Sequence, residues 1–182
     1  TNNHAFCLAV EKLLGVEVPR RAQLIRVILD ELQRLSSHLV WLGTSGIDLG
    51  AVTPFWYTFR EREQILDFFE EYCGARLTLN CMRIGGLPFD LTAGWTDRVA
   101  EFISDLPARI DDYEQLLTDN RIWKKRTVGV GVISAQECVE WGLTGPIIRG
   151  SGLAWDLRRA QPYECYEELD FVVPTRQNGD TY

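Results

Sequence analysis

The sequence predicts a mainly α protein, a helical bundle followed by an irregular tail with minor short strands. Three observations carry this. Apolar residues recur at steps of three and four over most of the first 119 positions. Helix punctuation, proline or a small polar residue before and glycine after, stands at the ends of those runs. Beyond Asn120 the pattern breaks into Gly/Pro-punctuated pieces. With 182 residues there is enough chain for one good core but not comfortably two. The expectation is a single partial domain over 1–182, the bundle covering about 1–119 and the irregular segment about 120–182.

Residues 4–14 read as a helix end, with Gly15 as the residue that closes it. Pro19 suits the first turn of a second helix, whose Leu24, Ile28, Leu32, Leu35, Leu39 and Leu42 step at the helical period. Ile25, Val27, Leu29, Val40 and Trp41 widen its stripe, predicting burial on more than one side. This helix is expected to stop at Gly43, leaving GTSGIDLGAV as a small-residue loop. Thr53-Pro54 then reads as N-cap and first helical residue of a third helix ending at Gly74. Alternation over Leu77, Leu79 and Cys81 permits a short strand, as does Phe171 to Val173. A fourth helix fits 92–118, with a kink or break at Pro107. Ser134 and Glu137 form a capping-box pattern opening a short helix that ends at Gly142. The final QNGDTY stops without a closing element, and the chain reads as an internal piece of a longer one.

A net charge of −7 argues against a nucleic-acid surface, whose phosphates need a basic patch. No apolar run is long enough to span a bilayer, and no signal peptide is visible. The five cysteines include no CxxC pair, and there are only two histidines, so neither a disulfide framework nor a self-contained metal site is expected.

Among candidate functional residues, Asp48 is the single carboxylate of the glycine-rich segment. It fits a turn cap, an exposed acid, or a proton-exchanging group beside glycines that admit a ligand. Phe55, Trp56, Tyr57 and Phe59 fit core packing better than a slot for a flat ligand. Glu31, Arg34 and His38 share one helical side, as a solvated ion pair or as a polar strip inside the bundle. RIGG (83–86) and GSG (150–152) lack the spacing of phosphate-binding loops, and no Ser/His/Asp triad can be assembled.

Longer stretches carry a resemblance. LAVEKLLGVEVP (8–19), the run from Ile25 to Glu70, RIGG, ARIDDYEQLL (108–117), VGVI (130–133) and GLTGPIIRGSGLAWDLRRAQPYECYEELDF (142–171) closely resemble the hydrogenase-like large subunit of respiratory complex I, the 49 kDa subunit family of NADH:quinone oxidoreductases. The resemblance implies a bundle of the [NiFe]-hydrogenase large-subunit type that has lost its nickel. It implies a role in a quinone-reduction pocket beside the terminal iron–sulfur cluster of a neighbouring small subunit, coupled to proton translocation. In that setting Asp48 matches the family's loop aspartate and a proton relay, while Thr44, Phe55 and Phe59 match positions around the pocket. Arg83 matches an arginine near the iron–sulfur subunit, and Thr78 departs from a histidine common at its position. No cofactor is expected on this chain; quinone is the substrate, and NAD, FMN and iron–sulfur clusters belong to partner subunits. The implied location is peripheral, on the cytoplasmic side of a bacterial inner membrane or the matrix side in mitochondria. The HPSTH-type loop and tyrosine that grip quinone are expected upstream of residue 1, which leaves the piece alone inactive. The runner-up enzymes are membrane-bound hydrogenase relatives and coenzyme F420-linked dehydrogenases; the nonenzymatic alternative is an assembly scaffold.

Overall fold

A computed structural model describes residues 2–182. The chain is mainly α and divides into two compact units, Thr1–Leu116 and Leu117–Tyr182.

The first unit is built on α1 (Asn2–Leu14), α2 (Arg20–Asp48), α3 (Thr53–Cys73) and α4 (Trp95–Leu117). Gly15 and Gly74 close α1 and α3 at φ +65° and +73°, the left-handed region where a side chain is strained. Leu29, Leu32, Leu39, Ile65, Phe69, Tyr72, Trp95, Phe102 and Leu106 form the core. Trp95 is fully buried, and its indole N–H donates to the Phe68 carbonyl at 3.2 Å, so the largest core side chain leaves no polar atom unpaired. α2 buries Ile25, Arg26, Val27 and Asp30 as well as Leu29, Leu32 and Leu39, so its N-terminal half is buried on more than one side, while Leu24 and Trp41 are exposed.

α1 is fastened by charge as well as by packing. His4 Nδ1 and Asp30 Oδ2 approach to 2.5 Å, both buried. Arg26, fully buried, donates to both Glu11 oxygens at 2.6 and 3.1 Å and to the carbonyls of Arg83 and Gly86. Glu11 in turn accepts from the Gly85 amide at 2.8 Å. A buried ion pair is tolerable only with its remaining donors and acceptors satisfied, and this one uses the RIGG turn to do so.

Several expectations are corrected. α2 does not stop at Gly43; it runs through Asp48, and the connection shrinks to Leu49–Val52. The reason is tertiary. A Cβ on Gly43 would lie 2.6 Å from Thr58 Oγ1 and 3.3 Å from Phe55 Cα, and one on Gly46 would lie 3.0 Å from the Ala51 carbonyl. The glycines serve close approach of α2 to α3, and that packing outweighs their poor helix propensity. Thr53 is the first residue of α3 and not its cap; Val52 stands at the cap position without a side-chain bond. α4 begins at Trp95 and continues past Pro107 to Leu117 without a break, with Pro107 and Ile103 exposed. Neither proposed strand forms among the described residues: 77–81 and 171–173 are irregular, and the only β pairing is the Arg83–Gly86 bridge.

The second unit carries α5 (Arg121–Thr127), α6 (Ala135–Glu140), α7 (Pro146–Gly150), α8 (Leu157–Ala160) and a 3-10 turn at Tyr166–Glu168. The capping box of Ser134 and Glu137 is present in both directions. Asn120 caps α5 through the amides of Ile122 and Trp123. Cys138, Ile148, Cys165 and Tyr166 are buried. The last residues form no helix or strand but are pinned: Gly179 accepts from the Ile133 amide and donates to the Gly150 carbonyl, and the Thr181 amide donates to the Val130 carbonyl. A Cβ on Gly179 would fall 2.2 Å from the Ile133 carbonyl oxygen, so only glycine fits that crossing.

Candidate functional site

The predicted site residues gather where α2 ends and α3 begins, with one exception. Thr44 and Asp48 are one turn apart on α2, and both are exposed. The Thr44 hydroxyl donates within its own helix, to Val40 O at 2.8 Å and Trp41 O at 3.2 Å, which leaves its lone pairs open outward. Asp48 is the last residue of α2. Its carboxylate caps nothing; the amides of the turn go to backbone, Leu49 to Ser45, Gly50 to Ile47 and Ala51 to Gly46. An acid at a helix C-terminus opposes the macrodipole, so local stability does not account for its presence.

Phe55 and Phe59 lie one turn apart on α3, ring centroids 4.1 Å apart and tilted 30°, both half-buried. Phe55 faces Gly43, and Trp56 meets it edge-on at 5.5 Å while remaining 67% exposed. The aromatic turn therefore splits: Phe55 and Phe59 are half-buried and keep part of their ring surface open, while Trp56 and Tyr57 are exposed.

Arg83 is not part of this grouping. It is exposed, and its guanidinium donates to the Asn80 and Met82 carbonyls and to Asn80 Oδ1. Its backbone is held by Arg26, and at 1.5 Å per residue Arg26 stands about 33 Å along α2 from Asp48. Glu31 and Arg34 form a half-exposed ion pair at 3.0 Å, and His38 and Trp41 are exposed, so a polar strip inside this unit is not what these residues make.

Sequence reasoning missed the buried charged groups, Glu61 among them as well as the His4–Asp30 and Arg26–Glu11 pairs. Glu61, 2% exposed, accepts from the Tyr113 hydroxyl at 2.7 Å and from Arg60 at 2.6 Å, with Arg109 at 3.8 Å. Burial pushes the Tyr113 phenol upward, and the Glu61 carboxylate adds to that push. The available signal was spacing: Glu61 follows Pro54 and Thr58 and precedes Ile65 on the buried stripe of α3.

In the second unit Asp156 caps α8 and accepts from Arg158 at 2.7 and 3.0 Å. That contact holds its carboxyl well down, at about 2. The Arg158 guanidinium also lies 4.5 Å over the Phe171 ring. Among the described residues no three His, Cys, Asp or Glu side chains form a metal-holding cluster, no disulfide joins the cysteines, and no helix is long and apolar enough to cross a membrane.

A mainly α chain with an exposed acid at a helix-end hairpin is a broad class; comparison with known proteins narrows it. Residues 48–182 match the family described as respiratory-chain NADH dehydrogenase, 49 Kd subunit. Over 182 residues the chain is 55% identical to a D-type NADH-quinone oxidoreductase subunit of Solibacter usitatus, covering all of this chain and 49% of that protein. It is 53% identical to the D-type subunit of Wolinella succinogenes and 54% to that of Geotalea uraniireducens, again over the whole chain and 45% and 47% of theirs. The chain belongs to the 49 Kd subunit family of respiratory NADH dehydrogenases, and spans about half the length of the curated relatives it matches.

Proposed function

We propose that this chain supplies part of the quinone-reduction pocket of a proton-translocating NADH-quinone oxidoreductase, with Asp48 handling protons at the pocket edge. The observation that carries the reading is the pairing of an exposed carboxylate, uncapped on a helix end, with the aromatic turn across the four-residue connection. Reduction of a quinone to quinol takes two electrons and two protons. Electrons come from the terminal iron–sulfur cluster of a neighbouring small subunit, toward which Arg83 is turned in this reading. Protons need a group that can give and regain them without leaving a buried ion behind, and Asp48 reaches solvent. Phe55 and Phe59 give an apolar wall for a flat ring, and Thr44 offers outward lone pairs one turn from Asp48. Such a subunit works peripherally, against a membrane arm formed by others, on the cytoplasmic face in bacteria.

The test is Asp48→Asn in the intact complex. The expected result is normal assembly, a quinone-reductase rate lowered by about 10²-fold or more, and NADH oxidation by an artificial acceptor unchanged. Wild-type quinone turnover in a fully assembled variant would remove Asp48 from proton transfer.

A further inference from the structure

Beyond α4 the polypeptide has little core of its own. The buried apolar side chains there are Cys138, Ile148, Cys165 and Tyr166. No disulfide reinforces the unit Leu117–Tyr182 among the described residues. A unit this short, with so few buried side chains, does not offset the entropy of ordering its backbone. Its large apolar side chains stand outward instead: Trp141 is 78% exposed, Val139 63% and Ile147 52%. Scattered exposed apolar residues are ordinary, but a contiguous group marks a surface that something covers.

This group is contiguous. Val139, Leu143, Ile148, Leu153, Ala154 and Trp155 line a groove of about 450 Å³, and Trp141 and Ile147 adjoin its lining residues Gly142 and Ile148 in the chain. Backbone fixes its shape. Gly142 and Gly145 turn at φ +64° and +71°, the Leu143 amide donates to the Cys138 carbonyl at 2.8 Å, and the Leu153 amide donates to the Ile148 carbonyl at 3.2 Å. No charged side chain lines the groove. Contacts between separately stable partners are about as polar as the rest of a protein surface, whereas an obligate contact resembles a domain core cut in half. The groove is of the second kind.

Whatever covers it has to be present whenever this unit is folded, because the unit's own core is too small to hold it. A separate subunit meets that condition only after assembly. The rest of the same polypeptide meets it from the start, and covalent linkage makes its docking intramolecular. There is chain enough for this, since the matched relatives are about twice as long as residues 1–182. We infer that the groove is one half of an intramolecular core, filled by apolar side chains from the part of the same polypeptide outside residues 1–182. Those side chains seat between Val139, Leu153 and Trp155 and extend the core that begins at Ile148. The inference rests on the size of this core and the length of the relatives, and it does not depend on the quinone reading.

The experiment uses the full-length protein, purified alone and in the assembled complex. Trp155→p-benzoylphenylalanine keeps an aromatic ring in the groove wall and, on irradiation, links to C–H bonds in contact with it. The isolated full-length protein is expected to give a product of monomer mass, in which position 155 is joined to an apolar residue outside residues 1–182. A product of dimer mass, an adduct with lipid, or a link to another subunit formed only in the complex names a different occupant and overturns the inference. Links confined to residues 1–182, or no link at all, overturn it too. A second variant reads the same contact without a probe. Ala154 is an exposed lining residue, so a charge there is harmless if the groove faces water and costly if apolar side chains fill it. Ala154→Glu is therefore expected to lower the melting temperature of the isolated full-length protein by about 4 °C or more. An unchanged melting temperature counts against an intramolecular cover. Quinone reduction by Asp48→Asn is a separate readout, so the failure of one reading leaves the other standing.

Discussion

Gly43→Ala is the substitution whose sign separates a helix–helix contact from a loop. In an open helix the change stabilises by about 1 kcal/mol, because alanine has the better propensity. At Gly43 the added Cβ would lie 2.6 Å from Thr58 Oγ1, where ordinary contact begins at 3.4 Å, and 3.3 Å from the Phe55 Cα. Thr58 cannot swing clear: it is fully buried, and its hydroxyl donates to the Phe55 carbonyl at 3.1 Å. Backbone lies behind it, so α2 and α3 must part. Overpacking of a closed site costs about 1–3 kcal/mol, and the lack of slack puts this one at the upper end, for a net loss of about 1–2 kcal/mol. The assay is reversible denaturation of the full-length protein as a cycle of Gly43→Ala, Thr58→Ala and both. Removing Oγ1 relieves the 2.6 Å contact, so the double variant should recover about 1–2 kcal/mol relative to additivity. If Gly43→Ala stabilises by about 1 kcal/mol in the wild-type background, the close contact is wrong and the segment is open.

Two further outcomes are expected. Glu61→Gln keeps the shape but removes the charge that holds Arg60, and should destabilise by about 1.5–3 kcal/mol; ultraviolet difference titration should find the Tyr113 phenol less elevated, since the carboxylate charge no longer adds to burial while Arg60 and Arg109 still oppose it. Asp156 has a folded carboxyl at about 2 against about 3.9 in an unfolded chain, so its contribution is full above about pH 4 and is lost as pH falls toward 2; Asp156→Asn should flatten the acid limb of a stability profile, and an unchanged limb would refute the assignment.

Helix ends with a local cause were legible. Gly15, Gly74 and the Ser134–Glu137 box stand where the sequence placed them, because each is decided by backbone conformation or bonding within four residues, while Pro19, expected in the first turn of α2, stands one residue before it at the cap position. The extension of α2 was not legible. Gly43 and Gly46 are breakers by propensity, and only the facing Thr58, Phe55 and Ala51 make them an advantage. The strands proposed at 77–81 and 171–173 rested on alternation alone, and no partner strand exists among the described residues. For the candidate site, the i,i+4 spacing of Phe55 with Phe59 could be read off directly, while that of Thr44 with Asp48 follows only from the extension of α2. Which ring stays exposed, and which of Arg60, Glu61 and Arg62 is buried or left with an unmade bond, depends on the rotation of α3 against its neighbours. The run REREQ contains no local signal for that.

Placing Asp48 on a helix end instead of in a loop changes what the acid can do. A ten-residue loop would have to be ordered each time a ligand bound, at roughly 1–2 kcal/mol per residue fixed. Six of those residues, 43–48, are already helical, and Gly43 and Gly46 hold them against the start of α3. The relation of Asp48 to the aromatic turn is therefore set by backbone contact, and flexible side chains contribute little to it. The same placement has a cost, since the carboxylate sits against the negative end of α2 with no cap or cation to offset it. Asp48→Asn should accordingly raise the melting temperature slightly while it slows quinone reduction. A stabilising substitution that lowers activity is the signature of a residue kept for chemistry. If the variant is less stable than wild type, Asp48 has a structural partner in the whole protein and its exposure here does not mark a proton path.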